Sequence, residues 1–154
     1  MNLVTKNKTL FVLDDDTMFH RIMTLANKQS VFNISHHYEV RSLLAHLWNN
    51  RDDHSKLPDV IFADLTIPHY DGWCFLNNYQ KIRNWLCKDI TVYVVSASIS
   101  KVDIEKAENY SFVKQYIIKP ISMDKFREIA GSKNNSVPNR YHIRSFTNSP
   151  LIIR

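Results

Sequence analysis

Along the chain, short apolar runs alternate with stretches in which apolar residues return every three or four positions. The runs are Thr9–Leu13, Tyr38–Val40, Val60–Ala63, Ile90–Val95 and Tyr116–Ile118, the second being the weakest. They are rich in Val, Ile, Phe or Tyr and nearly continuous rather than alternating. That pattern predicts strands covered on both faces, as in a parallel sheet. Between the runs, Met18, Ile22, Leu25 and Ala26 recur at helical spacing and predict a first helix. Leu43, Leu44 and Leu47, beside Trp48, predict a second. Phe75, Leu76, Tyr79, Ile82, Trp85 and Leu86 form the strongest stripe, and Met123, Phe126, Ile129 and Ala130 the last. The segment Lys101–Tyr110 offers only Val102, Ile104 and Ala107 among its charges, which predicts a helix poorly anchored to the sheet. Asn33–Ser35 and Arg51–Lys56 read as polar loops.

The order β-α-β-α-β-α-β-α-β-α predicts an α/β fold, a doubly wound parallel sheet with right-handed crossovers. After Gly131 the pattern stops. Residues 1–131 therefore read as one domain, and 132–154 as a basic, flexible C-terminal tail, although Tyr141–Phe146 could alternate as a strand.

Composition narrows the classes. A length of 154 residues suits one domain. Hydrophobic residues at 44% and charged residues at 23% argue against a disordered chain. No apolar run approaches the ~18 residues of a membrane helix. The polar start, Met1 to Thr9, is not a signal peptide. Cys74 and Cys87 lack CxxC spacing and read as free thiols in a reducing compartment, which predicts a cytoplasmic protein. With 2 glycines there is no Gly-rich phosphate loop. The net charge of +5 invites a nucleic-acid reading, but Lys133, Arg140, Arg144 and Arg154 carry +4 of it in the tail, so nucleic acid is not the expected partner. His20, His36, His37, His46, His54, His69 and His142 show no paired ligand spacing on one element, and no histidine metal site is expected. Trp48, Trp73 and Trp85 read as packing or part-exposed aromatics.

In open α/β sheets, ligands bind beyond the carboxyl ends of the strands. There the first strand delivers Asp14-Asp15-Asp16, the third Asp64, the fourth Ser96 and the fifth Lys119, followed by Pro120. Asp16 alone could be a helix N-cap. Three acids in a row exceed what capping needs, and two carboxylates about 4 Å apart repel by about 4 kcal/mol at an effective dielectric of about 20. Adding Asp64 calls for a cation, and hard oxygen donors favour Mg²⁺. Lys119 at the end of a buried strand fits a counter-charge; Ser96 by itself says little.

Leu10–Asp16, then Pro58-Asp59-Val60-Ile61-Phe62-Ala63-Asp64, Ile67-Pro68-His69-Tyr70-Asp71-Gly72, Val94-Val95-Ser96-Ala97 and Ile118-Lys119-Pro120 follow in order. Over roughly residues 8–131 this resembles the receiver domain of two-component response regulators, of the single-domain type. The resemblance implies a five-stranded, flavodoxin-like sheet of order 2-1-3-4-5 in a three-layer α/β/α sandwich. It implies Asp64 as phosphoacceptor, Asp14 and Asp15 as the acids that hold Mg²⁺ together with Asp64 and the Thr66 carbonyl, and Lys119 as the phosphoryl counter-charge. Ser96 matches the switch hydroxyl and Tyr116 the switch aromatic, and the Lys119–Pro120 peptide is implied to be cis. The partners implied are a sensor histidine kinase or a histidine phosphotransfer protein, an unidentified downstream protein, and a second copy through the face of the fourth helix, fifth strand and fifth helix. Such a protein is no conventional enzyme, though it catalyses its own Mg²⁺-dependent phosphotransfer and slow dephosphorylation. Ile67 stands where the family usually has Met, and Asn109-Tyr110-Ser111-Phe112 lacks the usual Ala-Gly. Those departures touch surface shape and partner choice, not a reactive group.

Two other classes compete. A haloacid-dehalogenase-like phosphatase would use Asp14-x-Asp16, but its required Thr or Val position is Met18. A nucleic-acid-binding protein would use the tail, and would bind duplex DNA with steep salt dependence.

Overall fold

The computed structural model describes residues 6–67 and 72–131. The basic segment 132–154, with its expected flexibility, and residues 68–71 of the Ile67–Gly72 motif lie outside the described residues. Five strands, β1 (Lys8–Leu13), β2 (Phe32–His37), β3 (Val60–Ala63), β4 (Thr91–Ser96) and β5 (Val113–Ile118), alternate with α1 (Thr17–Ala26), α2 (Val40–Asn49), α3 (Gly72–Ile82), α4 (Lys101–Glu108) and α5 (Met123–Ala130). All pair in parallel in the order β2-β1-β3-β4-β5, the expected doubly wound, flavodoxin-like sheet.

Alternate residues of the inner strands feed two cores. Phe11, Leu13, Ile61, Ala63, Val92 and Val94 face α2, α3 and α4, where Leu43, Leu47, Phe75, Tyr79 and Ala107 are buried. Leu10, Val12, Val60, Phe62, Tyr93 and Val95 face α1 and α5, where Phe19, Met23, Phe126 and Ile129 are buried. The result is a three-layer sandwich. The central strands are apolar on both faces because helices cover both.

Two expectations are corrected. The second strand is Phe32–His37, not Tyr38–Val40; Asn33–Ser35 lies inside it, and Val40 opens α2. β2 is an edge strand, so its backbone pairs with β1 alone and its polar side chains need no second cover. An apolar-run criterion is blind to such a strand. The first helix presents a different stripe: Phe19, His20 and Met23 are buried, while Met18, Ile22 and Leu25 are 55%, 46% and 60% exposed. Both stripes obey the 3.6-residue period, and only the sheet chooses between them. β5 also starts earlier than expected, its exposed Lys114 and Gln115 masking it.

Local chemistry sets several boundaries. The Asp16 carboxylate caps α1 by accepting from the Met18 N–H at 2.9 Å. Gly131 ends α5 in the left-handed region at φ 80°, where a side chain would be strained. α4 buries Ala107 alone and leaves Val102 exposed, so the expectation of weak anchoring holds. Cys87 is an exposed free thiol, and half-buried Cys74 accepts at Sγ from the Asn78 amide at 3.4 Å. Among the described residues no helix is long and apolar enough to cross a membrane.

His37, at the end of β2, has its ring 4.5 Å from the Phe11 ring and 5.9 Å from that of His46. Burial, then repulsion from His46, His20 and His36, holds its imidazole down at about 4. The folded state thus disfavours a proton that the unfolded chain accepts near 6.5. Its contribution is complete above pH 6.5 and is lost as pH falls towards 4. One proton taken up in that window limits the slope to about 1.4 kcal/mol per pH unit, less where solvent screens the ring. Urea midpoints measured across this range should fall in the parent and fall less in His37→Gln; equal slopes would show that His37 is not the group responsible.

Candidate functional site

β1 and β3 lie side by side with Leu13 opposite Ala63, so Asp14 and Asp64 emerge next to each other at the carboxyl edge. The Asp64 N–H donates to the Leu13 carbonyl at 3.0 Å, and the Asp14 N–H to the His37 carbonyl at 3.1 Å. Both carboxylates are buried, whereas Asp15 is exposed at the mouth. Oxygens of Asp14, Asp15 and Asp64 can all lie within 4.8 Å of one another.

Lys119 follows β5, two strands away, and reaches back across the edge. Its Nζ is 2.6 Å from Asp14 Oδ2 and 3.1 Å from Asp64 Oδ2. The aliphatic approach runs over Phe19, whose ring centre is 4.2 Å from the ammonium. The Lys119–Pro120 peptide is cis, as expected, and the Lys119 N–H donates to the Ser96 carbonyl at 2.9 Å.

Thr66 joins the acids through its donors. Its N–H and its hydroxyl each lie 3.1 Å from Asp64 Oδ1. Ser96 is fully buried at the end of β4, and its Oγ accepts from the Ser98 N–H at 3.3 Å. Tyr116 is also buried, and its hydroxyl donates to the Ser98 carbonyl at 2.9 Å. The two residues matched to a switch are therefore tied to one backbone unit, and the aromatic ring already lies inward.

The charges do not balance. Three carboxylates cluster here, and the one ammonium touches two of them, which leaves two formal negative charges. Burial pushes the Asp14 carboxyl above the usual carboxylate range, with the charge of Asp64 adding to it. Lys119 and the Asp16 N–H, which donates to Asp14 Oδ1 at 2.8 Å, only partly offset this. Burial alone would lower the Lys119 ammonium, but its contacts with Asp14 and Asp64 outweigh that and raise it. Lysine is held charged, and excess negative charge remains. A set of oxygen donors with that excess fits a hard divalent cation.

Asp14, Asp15, Asp64, Thr66, Ser96 and Lys119 converge on this edge, with Tyr116 tied to it through Ser98, whereas the Asp16 carboxylate caps α1. That occupation removes the second acid that the phosphatase reading requires. Phe19, Ser98 and His20, whose Nε2 lies 2.7 Å from the Asp14 carbonyl oxygen, were not anticipated. Phe19 sits one position from the stripe read as the buried one; Ser98 acts through its backbone, which no side-chain pattern reveals.

The model of the response regulator receiver domain matches residues 10–130. Among solved structures, the chain is similar to a two-component response regulator from Cytophaga hutchinsonii, at 19% identity over 82% of this chain and 96% of that one, with a TM-score of 0.69. It is similar to the receiver domain of the Francisella response regulator 1452, at 22% identity over 81% of this chain and 94% of that one, TM-score 0.65. A third is the Mn²⁺-bound form of the response regulator Rcp1, at 21% identity over 80% of this chain and 90% of that one, TM-score 0.63. No curated protein matches the chain significantly.

Proposed function

The chain belongs to the response regulator receiver domain family, and on that premise we propose that it takes a phosphoryl group onto Asp64 from a partner's phosphohistidine in a two-component phosphorelay. The observation that carries this is Lys119, whose ammonium touches both Asp14 and Asp64 beside an acidic cluster that opens to solvent at Asp15.

An Asp64 carboxylate oxygen attacks the phosphorus. The P–N bond to the donor imidazole breaks, that nitrogen leaves with the bonding pair, and an acyl phosphate remains on Asp64. Lys119 holds position on Asp64 and offers its charge to the incoming phosphoryl oxygens. Asp14, Asp15, Asp64 and the Thr66 carbonyl would hold Mg²⁺, which when bound neutralises charge on the transferring group. Ser96 would then bond a phosphoryl oxygen and give up the Ser98 amide. Because Ser98 also accepts from Tyr116, that exchange would reach α4 and β5. The signal would leave by the face of α4, β5 and α5, towards another protein or a second copy. Residues 1–131 would carry all of this, with the basic segment 132–154 outside that unit, in the cytoplasm where such kinases present their phosphohistidine.

The test is labelling of the full chain by acetyl phosphate or a phosphorylated histidine kinase, with and without Mg²⁺. Labelling should require Mg²⁺ and cease with EDTA, and Asp15→Ala should weaken Mg²⁺ binding strongly. Metal-independent labelling, or unchanged affinity in that variant, would overturn the acid assignment. Hydrogen exchange on the labelled chain should change protection over residues 97–120; changes limited to the Asp15 and Asp64 loops would mean a phosphate sink without output.

A further inference from the structure

The loop from β4 to α4 carries a side-chain link that the phosphoryl chemistry above does not use. Ser98 lies half-buried in that loop and is held at three of its groups. Its N–H donates to Ser96 Oγ at 3.3 Å, its carbonyl accepts from the Tyr116 hydroxyl at 2.9 Å, and its own hydroxyl donates to Asp103 Oδ2 at 2.7 Å. The same hydroxyl oxygen accepts from the Ser100 N–H at 3.2 Å, so it both gives and receives. Asp103 stands in the first turn of α4, where Ser100 is the N-cap and accepts from the Asp103 N–H at 3.4 Å. One residue thus touches Ser96, β5 and α4.

The three holds are unequal. The bond to Asp103 is the shortest, and a hydrogen bond to a carboxylate is roughly twice as strong as one between neutral groups. The bond to Ser96 is the longest. Little else fixes the first turn of α4. The helix buries Ala107, with Ile104 only partly covered, Val102 is 71% exposed, and the contact of Lys106 with the Trp73 ring lies a turn further on. The start of α4 therefore follows Ser98.

We propose that the Ser98 hydroxyl and the Asp103 carboxylate are positioning groups that carry the state of the Asp64 site into α4, separately from the path through Tyr116 into β5. On the phosphoryl reading above, on which this link depends, Ser96 leaves the Ser98 amide for a phosphoryl oxygen. A part-buried N–H left without an acceptor is costly, so Ser98 turns to find another. Its hydroxyl then pulls on Asp103, and its carbonyl on Tyr116. The link resists that turn, so a chain without it binds a phosphoryl group more tightly.

Titration of the full chain with beryllofluoride, a phosphoryl mimic, in excess MgCl₂ and followed by hydrogen exchange, tests this. In the parent, protection should change over both α4 and β5. Asp103→Ala and Ser98→Ala should each keep the fold by circular dichroism, lose the change over α4 and retain the change over β5. Each should also bind the mimic about fivefold more tightly, the low end of coupling between linked sites. The double variant should bind no more tightly than either single one, because both substitutions remove the same bond. Ser98→Ala keeps the Asp103 charge at the helix start, so a response shared by the two variants is not a loss of that charge. An undiminished change over α4 in the folded variants, unchanged affinity, or affinity gains that add in the double variant would each overturn the link and leave the phosphoryl reading standing. A parent chain that binds no beryllofluoride would overturn both.

Discussion

Asp64→Asn is expected to reduce phosphoryl uptake to background, from acetyl phosphate and from a kinase alike. In the proposed reaction the Asp64 carboxylate is the nucleophile, and an amide at that position cannot form an acyl phosphate. Asp14 is not free to replace it, being fully buried with Lys119 on one oxygen and the Asp16 N–H on the other. The loss should not come from unfolding. Carboxylates within 4.8 Å of each other repel, by about 3–4 kcal/mol at an effective dielectric near 20, and the substitution removes part of that repulsion while the Lys119–Asp14 pair survives. The urea midpoint should therefore stay level or rise. Base-labile phosphate retained on a folded Asp64→Asn chain would show that another residue is the acceptor.

Gly72→Ala should be the most damaging small change in the fold. A Cβ at Gly72 would lie 2.0 Å from the Asp64 carbonyl oxygen, 2.5 Å from Leu65 Cα and 2.8 Å from the Asp64 carbonyl carbon. All three are backbone, so no side chain can swing aside. Either the start of α3 or the turn after β3 must move, and the bond from the Gly72 N–H to the Leu65 carbonyl, 2.9 Å, is strained with it. Overpacking a core ordinarily destabilises by about 1–3 kcal/mol; a clash with rigid backbone should reach or exceed the top of that range. Because the atoms displaced belong to Asp64, Mg²⁺ affinity and phosphoryl uptake should fall together with the denaturation midpoint. A Gly72→Ala chain of parental stability would mean that α3 does not seat on the Asp64 backbone.

The inner architecture was legible from the chain itself. β1, β3 and β4 are buried on both faces, and continuous apolar runs such as Val60–Ala63 have no other economical explanation in a chain of this size. The site residues were legible for the same reason: Asp14, Asp64, Ser96 and Lys119 stand at strand ends, and strand ends in a parallel sheet share one edge. What the chain did not reveal are the choices made by neighbours distant in sequence. β2 is a strand because β1 supplies its hydrogen bonds, and His36 and His37 can stand in it because it is at the sheet edge. α1 turns Phe19, His20 and Met23 inward because the sheet lies on that side; by period alone Met18, Ile22 and Leu25 serve as well. The reach of Lys119 to Asp14, and the meeting of His20 with His36, exist only after the crossovers have stacked their elements. Periodicity records how far a residue is from water, whereas pairing between elements depends on the path of the whole chain.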